Sequence, residues 1–252
     1  MKAQNETSRT KPGDGNYVIG PYNVSEQKLQ AFSNKYNFNQ FPIIWDGTVI
    51  AHKYPDGPTF YMNDIVTQTL REPTAATTGM DYAYDETEND GWELRTHLNG
   101  SVGVEGLTKF TVGNAPFYLK WRFSIDDVSG TDDCAIGFCK DEAHDAAIDN
   151  KDEMACLNVI SGNITIETIL NGGDTTATDT TDNWADGESH TLEVYVSKAG
   201  VVTYKIDGAA PTTTAAFSFD TNEVVTPFFY FLQAANPEVA ALILQEFECG
   251  LQ

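Results

Sequence analysis

Across 252 residues the chain carries 41% hydrophobic and 12% aromatic side chains, a formal net charge of −22 and a pI near 4.3. That length and apolar content can bury a sizeable core. Acidity on this scale argues against a nucleic-acid backbone as partner, because phosphate contacts need clustered Lys and Arg; the lack of any run of about 18 apolar residues argues against a helical membrane span.

The charge is uneven: residues 1–53 hold six Lys/Arg against four Asp/Glu, net +2, which leaves −24 on the remainder. Residues 1–24 are polar and broken by Pro12, Gly13, Gly15, Gly20 and Pro21, which predicts an irregular or extended arm. It contains no apolar core of a secretory leader, so none is expected. Ser25 can cap a short helix over 25–32 that sets Leu29, Phe32 and Tyr36 near one face. An apolar cluster follows, Phe38, Phe41, Ile43, Ile44 and Trp45. Packing onto the body and contact with another subunit fit it equally well. The arm is assigned to residues 1–55 and the body to 56–252.

Residues 73–79 read as a Thr/Ala loop, and strands are expected near 80–84, 91–98 and 107–112. Residues 117–125 alternate most clearly. Phe117, Leu119, Trp121, Phe123 and Ile125 share one face, and Tyr118, Lys120, Arg122 and Ser124 the other, the period of two that belongs to a strand. Further strands are expected at 133–140, 155–160 and 164–170, with a short helix near 141–149 and a Thr/Asp-rich loop over 172–186. In the last third, Leu192, Val194 and Val196 alternate with Thr191, Glu193 and Tyr195. A turn at 197–200, a strand at 201–206 stopped by Asp207 and Gly208, and extended runs at 227–233 and 239–249 complete the series. Short strands punctuated by turns predict an all-β, antiparallel β-sandwich. The run Phe228, Phe229, Tyr230, Phe231, Leu232 is apolar on both faces. A second layer is therefore expected over it, from the N-terminal cluster, another segment or another subunit.

Three stretches resemble the concanavalin A-like, laminin G-like jelly-roll superfamily: Asp133 to Phe138, the loop and strand carrying Asp186, Gly187, His190, Leu192 and Val194, and the strand ending Ile206, Asp207, Gly208. The resemblance spans residues 80–252. It implies a jelly roll that serves lectins, glycosidases, adhesion modules and virion proteins alike. The closing strand, Glu246 to Gln252, is similar in style to sandwich proteins of tailed phages.

A glycosidase of this superfamily would place paired carboxylates on one strand face. Here Glu167 stands alone and reads as a surface acid, so no catalytic residue is assigned and no cofactor is implied. Metal candidates are the acids Asp126, Asp127, Asp132 and Asp133, ahead of Asp141, Asp145 and Asp149 and of Asp179, Asp182 and Asp186; none follows an ordered cation loop, and solvated acid is the simpler reading of each. Trp92 and Trp184, beside turns, are the candidates for stacking on a sugar, against the commoner role of closing the sandwich end. Phe38, Phe41, Ile44, Trp45, Phe229 and Phe231 are the candidate contacts to a capsid or a second subunit.

The expected function is a non-enzymatic virion structural protein, a phage capsid decoration (cement) protein held by its N-terminal arm. Its partners would be the major capsid protein or another virion protein and further copies of itself, for example in a trimer, with assembly in the host cytoplasm. The alternative is a carbohydrate-binding, lectin-like module that takes a glycan. Cys134 and Cys139 lie five apart in a strand and so face opposite ways, and neither they nor Cys156 and Cys249 form a metal-binding spacing. Thiol titration of the denatured, unreduced protein should count four; a count of zero with a mass matching two disulfides would overturn this.

Overall fold

The computed structural model describes residues 16–19, 22–25, 34–45, 50–54, 57–65, 72–83, 89–97, 108–235 and 239–252. The strands among them are β1 (Asn16–Ile19), β2 (Tyr22–Ser25), β3 (Asn34–Asn37), β4 (Ile43–Trp45), β5 (Ile50–Lys53) and β6 (Thr59–Asp64). Next come β7 (Thr74–Ala76), β8 (Gly79–Asp81), β9 (Gly91–Arg95), β10 (Phe110–Thr111), β11 (Phe117–Ile125), β12 (Thr131–Lys140) and β13 (Met154–Ile160). The series ends with β14 (Asn163–Ile169), β15 (Thr176–Asn183), β16 (Ser189–Val196), β17 (Val202–Ile206), β18 (Val224–Gln233) and β19 (Leu242–Leu251).

Two antiparallel sheets face each other. The ten-stranded sheet runs β15-β14-β13-β12-β18-β9-β6-β5-β4, with β10 also on β18. The seven-stranded sheet runs β17-β16-β11-β19-β8-β7, with β3 also on β19. The alternation of β11 is realised as the sequence predicts: Phe117, Leu119, Trp121, Phe123 and Ile125 are buried in the core between the sheets. Trp121 is its hub, with ring centroids 5.6 Å from Phe38, 5.1 Å from Phe229 and 4.7 Å from Phe247.

That hub changes the account of the N-terminal segment. From residue 34 onward the expected arm is sandwich: β3 pairs with β19, β4 and β5 extend the larger sheet, and Tyr36, Phe38, Ile50 and Tyr54 lie in the core. Phe38, an expected contact to a capsid or subunit, is 1% exposed. Ile44 packs partly buried against the same core, whereas Phe41 and Ile43 are 60% and 61% exposed. Ser25 closes β2, paired to β1, and the rest of the expected helix lies outside the described residues, as does the side chain of Trp45.

Other expectations are corrected in the same way. Residues 73–79 are not a free loop; β7 and β8 form a hairpin on β19, where Gly79 approaches so closely that a Cβ would stand 2.1 Å from the Leu244 carbonyl oxygen. The loop over 172–186 contains β15, an edge strand whose Thr176, Asp179 and Thr181 are exposed and whose one buried side chain, Thr180, is polar, so it carries no apolar alternation. The helix near 141–149 is absent; Asp145 instead caps a bend by accepting from Ala147 N at 3.0 Å, ahead of a single 3-10 turn at Ile148–Asn150.

The segment 141–153 is the cover that β18 requires. Phe229 and Phe231 face the main core, while Phe228 and Tyr230 face a second cluster with Ala135, Cys139, Ile148, Met154, Cys156 and Ile169. Phe229 and Phe231 are fully buried within the chain and present nothing to a capsid or a second subunit. The cover is pinned by charge. Glu93 on β9 meets Lys151 Nζ at 2.6 Å, Arg95 Nε at 2.9 Å and His144 Nδ1 at 3.0 Å, and Lys151 sits 5.2 Å over the Phe228 ring. Burial alone would raise the Glu93 carboxyl, but Arg95, Lys151 and His144 together hold it well below the usual carboxylate range. All four cysteines are free and buried, Cys134 in the main core and Cys139 in the second cluster.

Because Phe38 fills the hub, Phe38→Ala should cost about 3–5 kcal/mol in denaturant unfolding. Removal of residues 1–53, which takes Tyr36, Phe38 and Ile50 with it, should abolish the cooperative transition. A truncated chain that unfolds like the full one would show that these strands are dispensable.

Candidate functional site: a polar groove on the seven-stranded sheet

The outward residues of the seven-stranded sheet fall into cross-strand rows, because residues directly opposite in antiparallel register share a face. One row reads Lys205, Glu193, Lys120, Glu248, Lys35 from β17 to β3, alternating in sign at every step. Lys120 Nζ lies 3.4 Å from Glu193, Tyr118 Oη donates to Glu248 at 2.6 Å, and Tyr195 Oη donates to Glu193. The next row is Thr191, Arg122, Glu246, Asn37, and the one after it Ser189, Ser124, Ile243.

Between those last two rows β19 has one residue too many. Arg122 opposes Glu246 but Phe123 opposes Leu244, so Gln245 is the extra residue of a β-bulge. Phe247 and Leu244 stay in the core, and Gln245 and Glu246 both turn outward. Gln245 then organises its neighbours: Ser189 Oγ donates to its Oε1 at 2.7 Å, and its Nε2 donates to Thr78 Oγ1 at 3.2 Å and Ser124 Oγ at 3.5 Å. Arg122 Nε donates to Ser189 Oγ at 3.3 Å, and Lys35 pairs with Glu246 at 2.8 Å. Asn37, Asp126, Gly187 and the half-buried Ile243 complete an open groove of about 680 Å³. Its walls offer amide, hydroxyl, guanidinium and carboxylate groups held in place by one another, with one aliphatic surface among them.

The loop entering β16 forms one wall of this groove. His190 lies between Asp207, 2.6 Å from its Nδ1, and Glu188, 3.0 Å from its Nε2, while Asp207 also accepts from Thr191 N at 2.8 Å. Partial burial alone would lower the imidazole pKa; the two carboxylates outweigh that and raise it. Asp207 and Gly208 both have positive φ, 52° and 82°, as a tight primed turn requires. The residues that carry the family resemblance therefore clamp strand to turn.

On the outer face of the ten-stranded sheet lies a second polar cluster. Asn158 Nδ2 on β13 donates to Asp133 on β12 at 2.6 Å and to Glu167 on β14 at 3.1 Å. Glu167 is thus neither alone nor on the surface, being 6% exposed. Its partner comes from a different strand, a pairing that a same-strand search does not find. Burial pushes the Asp133 carboxyl up to about 7 against the Asn158 hydrogen bond, and the Glu167 charge adds to the rise. Both carboxylates are engaged by one amide, which makes this a cross-strand tie.

The other expected site residues do not assemble. Trp92 is fully buried, its Nε1 donating to Tyr82 O at 2.9 Å, and Trp184 is 2% exposed against Phe123, so neither can stack on a sugar. Asp126 lines the groove, Asp127 caps the 3-10 turn Val128–Gly130, Asp132 is exposed and Asp133 bonds to Asn158. Among the described residues no group of three or more His, Cys, Asp or Glu is placed to hold a metal. Of the groove residues, Arg122 and Ser124 are legible in the sequence only as outward positions of their strand, and Asn37, Thr78, Ser189 and Gln245 by themselves carry no signal of a site. The one visible signal was the skipped step in the apolar series Leu242, Leu244, Phe247, Cys249.

No family model matches the chain, and no curated protein does. Solved structures do. The carbohydrate recognition domain of Emp47p is 15% identical, with a TM-score of 0.51 over 75% of this chain and 88% of its own. That of Emp46p is 8% identical, with a TM-score of 0.51 over 75% and 87%. A protein of unknown function from Shewanella oneidensis MR-1 is 12% identical, with a TM-score of 0.50 over 96% and 97%. These likenesses are of fold alone: the chain is a jelly-roll β-sandwich.

The raised Asp133 carboxyl gives stability a defined pH dependence. Between its ordinary value of about 4 and about 7 the folded chain keeps a proton that the unfolded chain releases, so stability falls as pH rises through that window and levels off above it. Asp133→Asn should match the parent near pH 4.5 and exceed it at pH 8 in urea unfolding. Parallel curves for the two proteins would show that Asp133 ionises normally.

Proposed function

We propose that this chain is a non-enzymatic carbohydrate-binding module that holds a glycan in the groove beside the Gln245 bulge. The observation that carries the reading is the pre-arranged set Gln245, Ser124, Ser189, Thr78 and Arg122, whose mutual hydrogen bonds fix donors and acceptors before any ligand arrives. Sugar hydroxyls need such paired donors and acceptors, and Ile243 offers an aliphatic surface to a ring's C–H face. The fold shared with domains described as carbohydrate recognition domains supports it.

A second reading is a phage capsid decoration protein, assembled with the particle in the host cytoplasm. It is favoured by Phe41 and Ile43, exposed beside and on the edge strand β4 of the larger sheet, where a particle or a further copy could dock. Co-sedimentation with particles, lost in Phe41→Asp, would support this reading over the first.

A glycan array followed by calorimetry tests the main proposal. A bound oligosaccharide should be recovered uncleaved, and Gln245→Ala should weaken binding about tenfold or more, since it removes one direct partner and releases three others. Turnover of the bound sugar, or full affinity in Gln245→Ala, would defeat it.

A further inference from the structure

Charge on the outer face of the seven-stranded sheet is matched almost everywhere. In the five-residue ladder each cation stands directly opposite at least one carboxylate. Lys205, at the end of the ladder, makes no ion pair among the described residues but covers the Tyr195 ring at 5.0 Å, whereas Arg122, one row on, has neither. The acid opposite it, Glu246, is taken by Lys35 at 2.8 Å. No ion pair to Arg122 exists among the described residues; its one side-chain hydrogen bond runs from Nε to Ser189 Oγ at 3.3 Å. The two terminal nitrogens of the guanidinium are left over. Arg122 is exposed and lines the groove, in a chain whose Asp and Glu outnumber Lys and Arg by 37 to 15.

An unpaired arginine in so acidic a protein is a place where a ligand can supply the missing charge. Its fork of parallel N–H donors matches a planar carboxylate in two hydrogen bonds. Asp126 stands in the same groove, and Glu246 is already neutralised by Lys35. The balance at Arg122 itself therefore accommodates one carboxylate. Resting on the carbohydrate-binding reading above, we infer that the groove selects a glycan bearing a carboxylate, that is, one with a uronic-acid residue, and that Arg122 is the residue that reads it. Gln245, Ser124 and Ser189 would take the hydroxyls of the same or the adjoining ring. The remaining acids of the chain repel such a ligand at long range, and salt screens that repulsion beyond about 8 Å at physiological ionic strength.

Calorimetry at 150 mM salt with three probes tests this: trigalacturonate, neutral trigalactose, and trigalactose carrying a sulfate ester in place of each carboxylate. Trigalacturonate should bind at least about tenfold tighter than the neutral trimer. Arg122→Gln should cost trigalacturonate at least about tenfold more affinity than it costs the neutral trimer, and Arg122→Lys should recover part of that difference, because the charge returns without the fork. Thermal unfolding of both variants should match the parent, Arg122 being exposed. Equal or tighter binding of the neutral trimer, or an equal loss of both in Arg122→Gln, overturns the inference and leaves the carbohydrate-binding reading standing. Preference for the sulfated trimer overturns the choice of carboxylate. Binding of none of the three overturns the inference together with that reading.

Discussion

The pairing of β11 with β19, one residue out of step at Gln245, is the constraint on which the rest of this molecule depends. Inward, it seats Trp121 against Phe247, and the hub so formed receives Phe38 from one end of the chain and Phe229 from the opposite sheet. Outward, the same irregularity turns Gln245 and Glu246 to one face beside Arg122 and Ser124. A regular ladder would have alternated them, hiding one in the core or displacing a core side chain. Core and groove are consequences of a single extra residue.

A second constraint acts on the larger sheet. Its central strand β18 is apolar on both sides, so the sandwich core satisfies only half of it. The cover over the other half is a stretch with little regular structure, and its backbone would be costly to hold down by apolar contact alone. Glu93, buried on β9, gathers Lys151 and His144 from that stretch, and Arg95 donates to the Glu142 carbonyl oxygen at 3.0 Å. The geometry satisfies the condition under which buried charge is tolerated: opposite charges in contact, with further hydrogen bonds to the same groups.

Much of the architecture was legible from the sequence because β11, β16 and β17 alternate cleanly, and because an apolar run such as 228–232 can only sit between two layers. What was not legible has physical reasons. Strand β15 is a solvated edge and lacks the pattern that burial imposes. Strands β3 to β5 are only three or four residues long, too short for their alternation to decide whether Phe38 packs onto the body or contacts another subunit; its place against Trp121 decides it. Trp92 and Trp184 lie next to turns in sequence yet point inward. The groove is made of Asn, Thr, Ser and Gln, residue types that fill ordinary surfaces. Only the register of four strands brings them together, and no spacing along the chain encodes it. Asp133 and Glu167 are a similar case, joined by an amide on the strand between them.

The two borders of the larger sheet differ in kind. At β15, exposed Thr and Asp side chains crowd the edge with hydration and negative charge, and the 212–213 segment already takes the Thr180 carbonyl oxygen and the Asp182 carboxylate, so another strand approaching there must strip these away. At β4, Ile43 and the neighbouring Phe41 leave the border short and greasy. A slab whose two rims differ in this way offers no continuous seam along which sheet after sheet could add. The Thr/Asp border is thus a brake on filament growth built into the sheet itself.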